Sequence, residues 1–231
     1  MLQCKPLGDC GIRIQFSEKP DMNTIQTIYM VKSLIEQYKE QYAITECIAA
    51  STSLSIYYNP TKVLYHELVD ILQELTLSST QKHSYIPRRI EIPACYHPDL
   101  APDLLEMARL QSISVDRLIE LHTAPTYFIY MIGFLPGFPY MLGLPSELAT
   151  PRLATPRAKV AAGSIGIAGE QSGIYPIDSP GGWRIIARTP LSLYDPQMDP
   201  PFLLSAGSTL RFVPISLQEY TEYMSHSNKR S

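Results

Sequence analysis

The chain has 231 residues, of which 45% are hydrophobic and 18% are charged, enough for one large folded domain or two small ones. The 19 Lys and Arg residues against 22 Asp and Glu residues give a formal net charge of -3, which leaves no strongly basic footprint for nucleic acid. No apolar run approaches the roughly 20 residues that a membrane helix needs. We therefore expect a soluble, cytoplasmic protein that binds neither nucleic acid nor membranes.

The four cysteines, Cys4, Cys10, Cys47 and Cys95, are far apart in the sequence and form no CxxC pair or Cys/His spacing typical of a metal site. We expect the reduced thiols of a cytosolic protein and no metal. The first residues lack the basic, apolar and small-residue segments of a signal peptide.

Strand and helix patterns alternate over the first 92 residues. Apolar residues alternate with polar ones at Ile12, Ile14 and Phe16, which is typical of a half-buried strand. The predicted elements are, in chain order, this strand, a helix capped by Asp21, strands at residues 43–49 and 53–58, a helix opened by Asn59 and Pro60, and a strand around residues 89–92. The order β-α-β-β-α-β predicts a ferredoxin-like α+β domain over residues 1–92, in which the first strand could be two short pieces.

A second domain is predicted over residues 93–231. After two short helices, the sequence becomes rich in β-branched residues, glycine and proline. Half of the chain's 12 glycines lie between Gly163 and Gly182, where they indicate a sharply curved backbone or the close approach of another group. Prolines recur from Pro125 to Pro214 and exclude long helices there. We therefore expect a small β-barrel or sandwich, with any chemistry on its surface.

Two Thr-Pro-Arg sequences, five residues apart, place Arg152 and Arg157 on stiff, extended backbone. A guanidinium held in this way binds a carboxylate or phosphate through two parallel hydrogen bonds. The alternative is structural, since the same arginines can tie their loop to the barrel through backbone carbonyl groups. Arg184 and Arg188 are predicted to share one face of a strand, where two like charges need a shared anion or an acidic partner.

The chain's single tryptophan directly follows two glycines, in Gly181-Gly182-Trp183. Its large ring can form a flat wall for a ligand or partner, or it can close one end of the barrel. Both roles stay open from the sequence.

His122 ends a predicted helix just before a β-rich segment. As a structural residue it would complement the negative end of the helix dipole. As a functional residue it would act as a general acid or base facing the loop that begins at Gly133. The sequence contains no GxxxxGK[ST], GxSxG or HExxH motif, which excludes the phosphate loop, serine elbow and zinc-protease helix that these motifs mark.

Several short motifs occur together in an order that resembles the allophanate hydrolase subunit 1 family. They are Gly133-Phe134-Leu135-Pro136-Gly137-Phe138-Pro139-Tyr140, Pro151-Arg152, Pro156-Arg157, Ala162-Gly163-Ser164, Gly173-Ile174-Tyr175-Pro176 and Ser179-Pro180-Gly181-Gly182-Trp183. The resemblance covers nearly the whole chain. It implies a ferredoxin-like N-terminal domain followed by a cyclophilin-like, mostly-β barrel domain, without implying prolyl isomerase activity.

Members of this family include the B subunit of 5-oxoprolinase and the sporulation kinase inhibitor KipI. The resemblance implies a protein that works with the A and C subunits of 5-oxoprolinase to open 5-oxo-L-proline to L-glutamate, with ATP used by the complex. We expect the chain to be inactive alone. The residues then expected to bind the substrate or phosphate are Arg152, Arg157, Gly163, Ser164 and Arg188, and His122 is the expected proton-transfer residue.

Two other functions stay open. A KipI-like chain would inhibit a sensor histidine kinase by docking through the barrel's aromatic surface. An allophanate hydrolase or urea carboxylase type of carboxyltransferase subunit would work with biotin carried by another chain. The residues expected to line a pocket or such an interface are Phe134, Phe138, Tyr175 and Trp183.

Overall fold

The computed structural model describes residues 3–19, 21–79 and 86–227. The chain divides into two compact units, Met1–Ile86 and Pro87–Ser231. The boundary that was predicted after residue 92 falls within a strand of the second unit. Within the described residues, no helix is both long and apolar enough to cross a membrane.

The first unit is a four-stranded antiparallel sheet with two helices. Its elements are β1 (Gln3–Pro6), β2 (Gly11–Gln15), α1 (Met22–Gln37), β3 (Ile44–Ala49), β4 (Ser53–Tyr58) and α2 (Tyr65–Ser79). The strand order is β1-β2-β4-β3. Alternate residues of β2 and β4, including Ile12, Ile14 and Ile56, are fully buried in the core against apolar residues of α1.

Both helix starts were predicted from capping residues, with different outcomes. Asp21 caps α1 as predicted, since its carboxylate accepts a hydrogen bond of 2.9 Å from the Thr24 backbone N–H. The second helix begins at Tyr65, later than Asn59 and Pro60 suggested. The Asn59 side chain accepts a hydrogen bond from the Thr61 backbone N–H instead, which stabilises a turn before the helix.

The ferredoxin-like form of this unit is not confirmed, because its predicted last strand lies elsewhere. That strand is β5 (Arg89–Cys95), and it belongs to the barrel of the second unit. The predicted first strand is two strands, β1 and β2, as the sequence allowed. β1 pairs with the edge of β2 that the last strand of a ferredoxin-like domain would take. A strand from the same hairpin can fill this edge with little loss of chain entropy. β5 is therefore left to pair elsewhere.

The second unit is a closed barrel, flanked by helices and a small separate sheet. Beyond β5, its elements are α3 (Leu104–Leu110), α4 (Val115–Thr123), β6 (Tyr127–Ile132), β7 (Pro139–Leu142), a 3₁₀ helix (Ser146–Leu148), β8 (Arg157–Val160), β9 (Ser164–Ala168), β10 (Gln171–Ile174), β11 (Ser179–Gly181), β12 (Arg184–Arg188), β13 (Thr209–Ile215) and α5 (Leu217–Ser227). The barrel order is β10-β7-β6-β13-β5-β12-β9, and β8 pairs with β11.

The interior of the barrel is filled by alternate residues of its strands. Ile165 and Ile167 of β9 point inward, with Phe212 of β13 and Ile186 of β12. A closed sheet leaves no unpaired strand edges. The mostly-β barrel is confirmed, and it fits the cyclophilin-like barrel that the family resemblance implies.

An aromatic layer covers the outer face of the same strands. Ala168 lies on this face, and the β8–β11 sheet adds Val160 to the layer. The backbone at Gly173 of β10 passes close beneath two rings. A Cβ atom at this position would lie 2.7 Å from Phe138 Cζ and 2.9 Å from Trp183 Cζ3. Only glycine therefore fits beneath these rings.

We predict that Gly173→Ala lowers the free energy of unfolding by about 1–3 kcal/mol, because the added methyl group overpacks the aromatic layer. Urea denaturation measures the loss. Gly133→Ala is the matched control, since its Cβ would meet only Tyr140 Cε2, at 3.9 Å. Equal stabilities of the two variants would contradict the packing described here.

Candidate functional site

An open cleft of about 170 Å³ brings three cationic side chains together beside β12. They are Arg157 and Lys159 of β8 and Arg188 of β12. The remaining lining residues are Asp99, Leu100, Pro102, Val160, Ala161, Ser164 and Ile185. Three residues predicted to bind substrate or phosphate, namely Arg157, Ser164 and Arg188, thus line one cleft.

Arg157 is fixed by a buried carboxylate at the start of α3. Its guanidinium forms an ion pair with Asp103, whose side chain is only 4% exposed. The other oxygen of Asp103 accepts a hydrogen bond of 2.6 Å from the Ile185 backbone N–H, and the Asp103 N–H donates to the Ile185 carbonyl group. Arg157 also donates to the Trp183 carbonyl group at 3.4 Å. Arg157 therefore has, in part, the structural role that the sequence left open, because it bonds a backbone carbonyl group of the second unit.

Lys159 is paired with a carboxylate at the rim of the cleft. Its Nζ atom lies 2.7 Å from Asp178 Oδ2, and both side chains are largely exposed. Asp178 also accepts a hydrogen bond of 2.8 Å from the Ala162 N–H. The hydrogen bonds from Lys159 and Ala162 lower the pKa of Asp178, so that it stays ionised beside the cations.

Arg188 is held along its stem, whereas the end of its guanidinium has no protein partner. Its Nε–H donates to the Ala162 carbonyl group at 2.8 Å. No other described residue forms a hydrogen bond or ion pair with the two terminal nitrogens. The stem runs beside Gly163, where φ is +80° and a Cβ atom would lie 3.5 Å from Arg188 Cγ and 2.3 Å from the Thr189 carbonyl oxygen.

The backbone amides of Gly163 and Ser164 do not add donors to the cleft, contrary to expectation. The Gly163 N–H donates to the Tyr175 carbonyl group at 2.7 Å, and the Ser164 N–H donates to the Ala161 carbonyl group at 3.2 Å. The first bond joins the start of β9 to the residue that follows β10, and the second closes the turn that leads into β9. Gly163, predicted to bind the substrate or phosphate, does not line the cleft, whereas Ser164 does.

Arg152 does not line the cleft. Its guanidinium carbon lies 6.0 Å from the centre of the Trp183 ring, an arrangement typical of a cation–π contact. The Arg152 side chain is exposed. The structure therefore separates the two arginines of the Thr-Pro-Arg repeats, and only Arg157 joins Arg188.

Arg184 and Arg188 have separate partners, which corrects the prediction of one shared face. The pairing of β12 with β9 shifts register between Ile185 and Ala187, and an irregularity of this kind reverses the alternation of faces. The Arg184 Nε–H donates to the Pro151 carbonyl group at 3.2 Å, and one terminal nitrogen lies 3.4 Å from a carboxylate oxygen of Glu106.

The four aromatic residues predicted for a pocket or interface differ in exposure. Phe138, Tyr175 and Trp183 are 1%, 1% and 6% exposed, and the Phe138 ring meets the other two edge-on. They are the aromatic layer on the outside of the barrel. Phe134 is 63% exposed, with a positive φ of 67°, and its ring meets Phe138 edge-on. Of the four, only Phe134 presents a large exposed surface.

His122 is fully buried and does not face the loop at Gly133. Its Nδ1 atom lies 2.7 Å from the hydroxyl oxygen of Tyr96, and its ring stacks on Phe212 at 4.5 Å. Nε2 has no hydrogen-bond partner in the described part of the chain. Burial lowers the pKa of His122 from 6.5 to about 3, so the ring is neutral. This placement does not support proton transfer to a substrate in the cleft.

We predict that His122 makes folding sensitive to acid. The unfolded chain takes up a proton below pH 6.5, whereas the folded chain does so only near pH 3. Stability contributed by the neutral ring is complete above pH 6.5 and is lost as the pH falls towards 3, by about 1.4 kcal/mol per pH unit.

The measurement is chemical denaturation of the wild type and His122→Gln between pH 7.5 and pH 5. The stability advantage of the wild type should shrink by about 2 kcal/mol from pH 7.5 to pH 5. His226→Gln is the control, because His226 lies at the surface of α5. An advantage that does not change with pH would show that the ring is already charged or hydrated in the folded chain.

Two charged residues that matter for the cleft were missed from the sequence, namely Lys159 in its lining and Asp103, which holds Arg157 from outside the lining. Lys159 follows Arg157 by two positions on β8, so strand alternation places both on one face. Asp103 carries no such signal, because its partners Arg157 and Ile185 are 54 and 82 residues away. Among the residues that the structure describes, no group of three or more His, Cys, Asp or Glu side chains is placed to hold a metal ion.

The chain matches the model of the carboxyltransferase domain family, subdomains C and D, over residues 2–204. It belongs to this family. Two relatives, each named as the B subunit of 5-oxoprolinase, are similar along most of their lengths. The relative from Bacillus subtilis is 39% identical over 98% of both chains. The relative from Haemophilus influenzae is 39% identical over 84% of this chain and 90% of its own. The family recognised from the motifs is confirmed.

Solved structures share the fold. A conserved uncharacterized protein from Pyrococcus horikoshii is 38% identical, with a TM-score of 0.57 over 94% of this chain and 99% of that chain. The K. lactis urea amidolyase is 17% identical, with a TM-score of 0.67 over 99% of this chain and 17% of that chain. The second likeness shows the fold alone.

Proposed function

We propose that this chain is the B subunit of an ATP-dependent 5-oxoprolinase, a complex that opens 5-oxo-L-proline to L-glutamate at the expense of ATP. The observation that carries the proposal is the 39% identity to the B subunit of a Bacillus subtilis 5-oxoprolinase over 98% of both chains. The name of that relative implies a complex of several chains. We propose that the A and C subunits are the partners, that they act in the cytoplasm, and that this chain is inactive without them.

The cleft has the charge that such a reaction requires. A lactam is a poor electrophile, and transfer of a phosphoryl group from ATP to its amide oxygen would make it a better one. The substrate carries a carboxylate, and the transferred group adds further negative charge. A fixed cation such as Arg188 stabilises negative charge in a site that is already organised for it.

The chemistry itself requires groups beyond this cleft. His122, the expected proton-transfer residue, lies in the core of the second unit. Within the described chain, the cleft lining holds cations, one serine and one exposed carboxylate, with no histidine. We therefore assign this chain to binding and positioning of the substrate, and assign ATP and the proton transfers to the complex.

A biotin-linked carboxyltransferase component is the second candidate, favoured by the family's own description. The two candidates differ in product. A 5-oxoprolinase releases glutamate from 5-oxoproline, whereas a carboxyltransferase moves a carboxyl group between biotin and an acceptor.

The test combines this purified chain with its counterparts, the A and C subunits, and measures glutamate release from 5-oxo-L-proline with ATP. We expect activity from the triple mixture and no detectable activity when any one chain is omitted. Full activity without this chain would refute the proposal. A mixture that releases no glutamate but carboxylates an acceptor from carboxybiotin would favour the second candidate.

A further inference from the structure

We propose that the cleft beside β12 binds the carboxylate of one small monocarboxylic acid through the terminal nitrogens of Arg188, and that it rejects the triphosphate of ATP. The inference rests on the proposed function, because it assigns the cleft to the carboxylate of 5-oxo-L-proline. It goes further in naming the residue that binds this group and in placing the nucleotide outside the cleft.

Two of the three cations in the cleft already have acidic partners, since Arg157 is paired with Asp103 and Lys159 with Asp178. Arg188 differs, because its hydrogen bond among the described residues goes to a backbone carbonyl group and no described carboxylate lies within ion-pair distance of its guanidinium. The exposed Asp99 carboxylate at the same cleft lies 3.5 Å from His97 Nδ1 instead. One ligand carboxylate can therefore bind Arg188 without displacing an existing ion pair.

A polyphosphate carries more negative charge than the cations of the cleft can pair with. It would bring several negative charges against the Asp178 carboxylate and against Asp99, whose side chain is 79% exposed at the cleft. Excess charge that is removed from water without a partner is costly. The two existing ion pairs would have to break before their cations could serve the polyphosphate.

The geometry of Arg188 suits a carboxylate. Its stem is held by the hydrogen bond from Nε–H to the Ala162 carbonyl group, and it passes beside Gly163, where an added Cβ atom would lie 3.5 Å from Arg188 Cγ. The planar end of the guanidinium then projects two parallel N–H donors, which is the arrangement that matches a carboxylate. Because the stem is already ordered, little further entropy is lost when a ligand binds.

The size and lining of the cleft suit one small ring. A cavity of about 150 Å³ accepts benzene, so a cleft of about 170 Å³ suits one small ring and not a nucleoside triphosphate. The side chains of Leu100, Pro102, Val160 and Ile185 give the cleft an apolar wall for the methylene groups of such a ring. A five-membered lactam with one carboxylate meets both requirements.

Asp178 sets the selectivity in this arrangement. Replacement by asparagine keeps an oxygen that can accept the Ala162 N–H, but it leaves Lys159 without its counterion. The cleft would then carry one more uncompensated positive charge. We expect it to favour a dianion such as inorganic phosphate over a monocarboxylate.

Isothermal titration of the full chain with 5-oxo-L-proline, inorganic phosphate and ATP tests these points. We expect the wild type to bind 5-oxo-L-proline more tightly than phosphate or ATP. Arg188→Gln should weaken 5-oxo-L-proline binding by about 10- to 100-fold, the loss expected for a charge-assisted hydrogen-bonded pair. Asp178→Asn should raise the affinity for phosphate relative to 5-oxo-L-proline several-fold. Circular dichroism melts check that each variant is folded.

Arg117→Gln is the matched control, since Arg117 is an exposed arginine of α4 that pairs with Glu120 and does not line the cleft. It should bind 5-oxo-L-proline as the wild type does. Three results would each overturn the inference. The first is that the wild-type chain fails to bind 5-oxo-L-proline, and the second is that a folded Arg188→Gln variant binds it as tightly as the wild type does. The third is that the wild type binds ATP as tightly as 5-oxo-L-proline and loses this ATP binding in Arg188→Gln.

The outcomes also separate this inference from the proposed function. If the reconstituted complex releases glutamate equally well with wild type and Arg188→Gln, the function stands and the binding site is elsewhere. If the chain binds 5-oxo-L-proline through Arg188 but the complex releases no glutamate, the site stands and the assigned reaction is wrong.

Discussion

Asp103 is the residue on which the cleft depends, because it joins three separate segments of the second unit. One carboxylate oxygen pairs with Arg157 of β8, the other accepts the Ile185 N–H of β12, and the Asp103 N–H donates back to Ile185. The carboxylate does not cap α3, although it stands at the N-cap position. A buried charge is tolerated only when its hydrogen-bonding capacity is met, and here both oxygens are used. The helix, the barrel wall and the flanking sheet are thereby held in one arrangement.

This arrangement gives the cations of the cleft different roles. Arg157 serves to hold β8 in place, and Lys159 is balanced by Asp178 at the rim. Arg188 differs from both, because no described carboxylate pairs with its guanidinium and its two terminal nitrogens have no described hydrogen-bond partner. Arg152, which the sequence grouped with Arg157, lies over the Trp183 ring instead. The number of arginines near the cleft is therefore larger than the number of negative ligand charges that the cleft can bind.

The sequence predicted those features that depend on local pattern. Glycine and proline content predicted a small β-barrel or sandwich, of which the structure has the barrel, and Asp21 predicted the start of α1. His122 could have been recognised as a core residue, because it follows Leu118 by one helical turn and both are the buried residues of α4. Features that depend on distant partners were not accessible. The register shift in β12 and the pairing of Asp103 across 82 residues follow from tertiary packing, which single-sequence periodicity does not report.

The sheet that β5 joins was also inaccessible from local pattern. Its residues have the composition of a strand, but composition does not determine which sheet a strand joins. β5 pairs in parallel with β13 along its whole length, from Arg89 to Cys95, more than a hundred residues away in sequence. In the first unit, β1 pairs with the edge of β2 that the last strand of a ferredoxin-like domain would take.

A crystal structure of this chain with 5-oxo-L-proline tests the central claim most directly. The account predicts the ligand carboxylate within hydrogen-bonding distance of both terminal nitrogens of Arg188, with the Asp103–Arg157 pair intact. Ligand density over Trp183 and Arg152, or a carboxylate bound by Arg157 after release from Asp103, would contradict it.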